Sequence, residues 1–176
     1  MLGAPDEELA GGPPLALHTP STYSEYAARR YSVLEDVELE DLIAWYEPQA
    51  STEAVQRWRA LFAAEGGPLA LVNRFKLRDR AAYADGREAT GLEAMLAYAA
   101  TSVPALEKVG GRFLVSSAVV APLFGTEDDS DLVVVGWYPD RGALLRLLRD
   151  PEYRAAFEHR RAAVASEWVV ATDAAA

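Results

Sequence analysis

Apolar residues recur along the chain with two periods. Between residues 38 and 46, Leu39, Leu42, Ile43 and Tyr46 fall three or four apart, the spacing of one helix face, and Pro48 closes the run. Ser51 opens a second helical run striped by Val55, Trp58, Leu61 and Phe62. Ser21 or Thr22 is placed to cap an earlier helix running towards Arg30. Residues 69–75 read as a strand. Leu92, Met95, Leu96, Ala99, Val103 and Leu106 then return to helical spacing. Pro104 is predicted to kink or restart that helix, because proline lacks the N–H of an interior turn, and Gly110-Gly111 to end it. Arg112 begins a strand predicted to reach about Leu123, residues 125–131 form an acidic turn, and 132–138 form a third strand. Asp140 is predicted to cap a helix with Leu144, Leu145 and Leu148 inward. Asp150-Pro151 restarts it, with Asp as N-cap and Pro at the first helical position, and Tyr153, Phe157 and Val164 make its buried face. Residues 168–171 read as the last strand.

From residue 69 the order is strand, helix, strand, strand, helix, strand. That is the split βαβ, or ferredoxin-like, α+β arrangement: an antiparallel sheet with two helices on one face. A sheet with one wet face alternates apolar and polar residues, but 132–135 are apolar at every position. Both faces are therefore expected to be covered, the second by another copy of the chain or by the N-terminal segment. Two such sheets face to face enclose a dimeric α+β barrel with a cavity. The first 20 residues hold four Pro and three Gly without periodicity and are expected to be disordered or loosely draped. The organisation read from the sequence is thus a draped segment 1–20, a helical extension 21–65, and a ferredoxin-like domain 66–176. Short amphipathic helices cannot stand alone, so the extension is expected to pack on the core, with a lid over a pocket as the sharper alternative.

Charge separates these parts. The 176 residues carry 17 basic and 27 acidic side chains, a net of −10. Residues 1–65 hold 12 acids and 4 bases, so the remainder is nearly neutral, with 15 acids and 13 bases. The overall sign argues against nucleic acid as a partner, which requires a cationic face. No apolar stretch approaches the ~20 residues of a membrane span, and no cation precedes Arg29 to start a secretory signal, so a cytoplasmic location is expected. With no cysteine, disulfides, thiolate nucleophiles and zinc ribbons are excluded. No phosphate-binding loop or dinucleotide fingerprint occurs, and Glu127-Asp128-Asp129-Ser130-Asp131 lacks the ligand spacing of a calcium loop. No metal and no cofactor are expected.

Three segments carry a family resemblance. They are Pro104-Ala105-Leu106-Glu107-Lys108-Val109-Gly110-Gly111-Arg112-Phe113-Leu114, then Trp137-Tyr138-Pro139, then Asp150-Pro151-Glu152-Tyr153-Arg154-Ala155 followed by His159-Arg160. Together they resemble the DUF1330 family of the dimeric α/β-barrel superfamily, and residues 71–75 are similar to that family's opening strand. The resemblance spans about residues 68–172, leaving 1–65 outside it. It implies a ferredoxin-like fold, a homodimer and a small interior pocket. It leaves the reaction open, because that superfamily includes cofactor-independent monooxygenases, haem enzymes, isomerases and dehalogenating enzymes.

His159 is the one histidine in the expected core, and so the natural acid/base near neutral pH; a surface or hydrogen-bonded helix histidine is the plainer reading. No haem-attachment motif accompanies it. Arg112 and Arg160 offer guanidinium forks suited to a carboxylate or phosphate, with salt bridges to nearby acids as the plainer reading. Asn73 and Arg74 are polar residues inside an apolar strand, and the two-residue period sends them to opposite faces. Trp137, Tyr98 and Tyr153 supply aromatic walls, and Tyr98 could donate a proton to an oxyanion. The expectation is a protein binding a small, partly apolar and perhaps anionic metabolite. Such a site suits a cofactor-independent enzyme with His159 and Tyr98 as proton-transfer groups and Asn73, Arg74, Arg112, Trp137, Tyr153 and Arg160 as binding groups. The alternative is a non-catalytic binding protein, or an interaction module using the acidic N-terminal helices.

Overall fold

A computed structural model describes residues 36–48, 50–63, 66–124 and 129–174. The expected draped segment, the helix from residue 21 and most of the acidic turn lie outside the described residues. The elements are α1 (Asp36–Tyr46), α2 (Thr52–Ala63), β1 (Leu69–Leu77), α3 (Gly91–Lys108), β2 (Arg112–Ala118), β3 (Leu132–Tyr138), α4 (Arg141–Arg149), α5 (Pro151–Ala163) and β4 (Val164–Asp173).

Local chemistry sets most of these boundaries. The Ser51 hydroxyl accepts from the Ala54 N–H at the start of α2. Thr90 and Glu93 form a reciprocal capping box at α3: the Thr90 hydroxyl accepts from the Glu93 N–H, and the Glu93 carboxylate from the Thr90 N–H. At its other end, Gly110 takes φ +83° while the Gly110 and Gly111 N–H groups donate to Glu107 and Leu106. That is the two-bond Schellman closure, and it favours glycine at the left-handed position. Asp140 caps α4, and Asp150 caps α5 by accepting from the N–H groups of Glu152 and Tyr153.

Three expectations are amended. Helix α3 runs without a break through Pro104, which sits on its exposed side. Strand β2 stops at Ala118 rather than near Leu123. One further backbone bond joins Val119 to Asp131, and Pro122, with no N–H to donate, follows just beyond. Strand β4 starts at Val164, four residues before Trp168, because Phe75, Lys76 and Leu77 of β1 pair with Glu167, Ser166 and Val164.

The four strands form one antiparallel sheet in the order β2-β3-β1-β4. With the α3 and α4–α5 connections, this is the ferredoxin-like topology, a mixed α+β fold. Alternation assigns the faces. Leu69, Leu71 and Phe75 of β1, and Leu132, Val134 and Tyr138 of β3, join the buried clusters with Met95 and Leu106 of α3, Leu144, Leu147 and Leu148 of α4, and Tyr153 and Phe157 of α5. Helix α1 packs on this same side: Leu42 is in the core, Trp45 lies 4.8 Å from the Phe157 ring, and the Trp45 carbonyl accepts from Arg161. The opposite face carries Val72, Val133, Val135, Trp137 and Val170, which belong to neither cluster and remain partly exposed. Helices α1 and α2 thus cover the helical side of the molecule, not the open sheet face.

Candidate functional site

Helix α3 packs along α5, and a gap bordered by residues of all four strands lies against the sheet. Small side chains, Ser116, Gly136, Ala99 and Ser102, are among the residues facing that gap. A cavity of about 1200 Å³ results. Leu92, Leu96, Val103 and Phe113 border it, and they are 58%, 61%, 37% and 36% exposed. Helix α2, none of whose residues is buried, contributes Ala54, Arg57, Trp58 and Leu61 to its rim.

One wall is polar. The Arg160 guanidinium, 4% exposed, lies among the Phe75, Phe157 and Tyr46 rings at 4.8–5.1 Å. It donates to the Glu167 carboxylate at 2.7 Å and to the Tyr46 hydroxyl at 2.7 Å. A buried ion pair needs hydrogen bonds beyond its own attraction to offset lost hydration, and Tyr46 supplies one. Beside it the Tyr98 hydroxyl donates to that of Tyr153 at 2.8 Å. The side-chain amide of Asn73 donates to the carbonyls of Leu71 and Val134, which leaves its oxygen as an acceptor. Burial pushes the Tyr46 phenol up to about 12, and it raises Tyr98, Tyr138 and Tyr153 as well. All four phenols are thus neutral hydrogen-bond donors at ordinary pH. The oxygens of Tyr46 and Tyr153 already accept, so each has a proton left to offer.

The residues singled out in the sequence divide into three places. Asn73, Tyr98, Tyr153 and Arg160 converge on the cavity. Arg74, Arg112 and Trp137 lie on the opposite sheet face, where Arg74 stacks over Trp168 at 5.3 Å and Arg112 over Trp137 at 4.1 Å. His159 is outside the cavity lining; its Nδ1 meets the Tyr83 hydroxyl at 2.7 Å, and the two rings stack edge to face. Sequence reasoning missed Tyr46 and Glu167. Tyr46 was visible as one more apolar position of a helix, and Glu167 lay ahead of the expected last strand. Among the described residues, no group of three or more His, Asp or Glu could hold a metal ion, and no helix is long and apolar enough to cross a membrane.

Comparison with known proteins adds a family and no activity. The family model described as a domain of unknown function (DUF1330) matches residues 81–173. Two crystal structures of one Rhodopseudomonas palustris protein of unknown function are similar. The methylated form is 35% identical, covering 73% of this chain and 94% of that chain, with a TM-score of 0.65. The other is 33% identical, covering 73% and 96%, with a TM-score of 0.64. A dimeric ferredoxin-like protein of unknown function from Thermobifida fusca is 17% identical, covering 62% of this chain and 93% of that chain, with a TM-score of 0.38. No curated protein matches.

Proposed function

This chain belongs to the DUF1330 family, and on that footing we propose that it binds a small, mostly apolar molecule bearing an oxygen acceptor in the cavity between α3 and the sheet. The observation that carries this reading is the cavity itself. Leu92 and Leu96 are among the most exposed large apolar side chains of the helices, and they border a space with one polar wall. Leaving such surface wet forgoes roughly 25 cal/mol per Å². A ligand that covers it recovers that energy, and ligand sites are typically apolar clefts with a few convergent polar groups.

The polar wall suits an oxygen. Tyr46 and Tyr153 each have a phenolic proton to donate, and Tyr98 orients Tyr153. Donors held neutral by burial polarise a carbonyl or stabilise an enolate without a metal. Glu167 is a carboxylate on that wall and holds the Arg160 guanidinium in place. Isomerase-type or other cofactor-independent acid–base chemistry therefore fits this wall better than it fits His159, which is committed to Tyr83 outside the cavity. In this reading a second copy covers the open sheet face, giving a homodimer and completing the barrel.

The test is mass spectrometry of the low-mass material released when the purified protein is denatured. Leu96→Trp fills the cavity at an exposed position and serves as the control. A species released by the unaltered protein and absent from the variant supports the reading; the same species in equal amount from both overturns it.

A further inference from the structure

The cavity holds two cations and two carboxylates among its described lining residues: Arg57, Arg160, Glu47 and Glu167. Three of the four are engaged. Arg160 and Glu167 form the buried pair, so Arg160 offers no net charge to a ligand. Glu47 acts electrostatically on Arg161. Among the described residues, Arg57 makes no hydrogen bond and no ion pair; Glu53, a fully exposed residue one turn back on the same helix, acts on it through solvent. Arg57 also lines the cavity from α2, next to Trp58, whose ring lies 5.2 Å from that of Tyr46.

We infer that Arg57 is the residue that selects for charge: it receives an anionic group at the rim while the apolar body of the ligand lies along Leu92, Leu96 and Phe113. The ligand class is then an amphipathic organic acid, with its charged end towards α2 and its oxygen acceptor towards Tyr46 and Tyr153. This rests on the cavity being the ligand site. It moves the anion anchor from the arginines expected in the sequence, Arg112 and Arg160, to one supplied by the N-terminal helices. An arginine fork on a rim favours a carboxylate or sulfonate through charge-assisted hydrogen bonds, and partial exposure makes that preference sensitive to salt.

The test uses two fluorescent probes of similar apolar body, anionic 8-anilinonaphthalene-1-sulfonate and neutral N-phenyl-1-naphthylamine. They are titrated into the unaltered protein, Arg57→Gln and Leu96→Trp at low and moderate salt. The expected result is that Arg57→Gln weakens the anionic probe about tenfold and the neutral probe less than twofold. The salt dependence of the anionic probe is lost in the same variant. Equal weakening of both probes, or of neither, overturns the role of Arg57 while leaving the cavity as the site. Binding of both probes that is unchanged in Leu96→Trp overturns the cavity reading itself, and the inference with it.

Discussion

Removing the carboxylate from the buried pair is the sharpest perturbation of the polar wall. Glu167→Gln keeps the shape of the side chain and leaves Arg160 charged among the Phe75, Phe157 and Tyr46 rings. Breaking a buried pair from one side costs about 3–5 kcal/mol, because the remaining charge is uncompensated. Arg160 fits that case, with its side chain 5% exposed, but Glu167 is 25% exposed and water reaches it. Screening lowers the expected loss to about 2–3 kcal/mol. For a chain of this size that is a fall in Tm of roughly 4–12 °C. Urea denaturation followed by circular dichroism measures it directly. The double variant Arg160→Met/Glu167→Leu removes both charges and should recover most of the loss, since an apolar replacement of a buried pair is often neutral. A loss below ~1 kcal/mol in the single variant, or a double variant no more stable than the single, refutes the reasoning.

Three other outcomes follow from the same structure. Tyr46, Tyr98, Tyr138 and Tyr153 should resist ionisation in a spectrophotometric titration at 295 nm beyond the pH of about 10 at which a free phenol ionises. The folded Tyr46 ionises at about 12, above its unfolded value. Above pH 10 the unfolded state therefore binds fewer protons than the folded one, so this contribution to stability is full below pH 10 and lost as pH rises towards 12; constant stability across that window contradicts it. Thr90→Ala removes the capping box of α3 and should lower stability by about 1 kcal/mol in the same urea assay, with no change counting against the cap. Val135→Glu places a charge in the middle of the open sheet face, opposite Val72, and should convert the proposed homodimer to a monomer in sedimentation velocity; an unchanged mass counts against that face as the interface.

Much of the fold was legible because its signals are local. Asp150-Pro151 declares a helix start in two residues, Asp140 does so in one, and Gly110-Gly111 announces a stop. Element order from residue 69 then restricts the topology. The site was less legible, for reasons of geometry. Period 2 said that Asn73 and Arg74 part company but not which faces the helices; the register places Asn73 at the cavity and Arg74 over Trp168. Leu92 and Leu96 carry the same helical spacing as Met95 and Leu106, yet only the latter two are buried. Spacing records which side of a helix is apolar, not whether a neighbour reaches it. Glu167 and Arg160 are seven residues apart across a helix–strand junction, and the strand was expected to begin after Glu167. Arg57 sits on a helix outside the span of the family resemblance, so nothing in the sequence tied it to a site.

A crystal structure of the protein with N-phenyl-1-naphthylamine tests the central claim most directly. The probe is expected between Leu96 and Phe113, its rings in the space under α3. A probe found only on the open sheet face, against Val135 and Trp137, with the space under α3 empty, would contradict it.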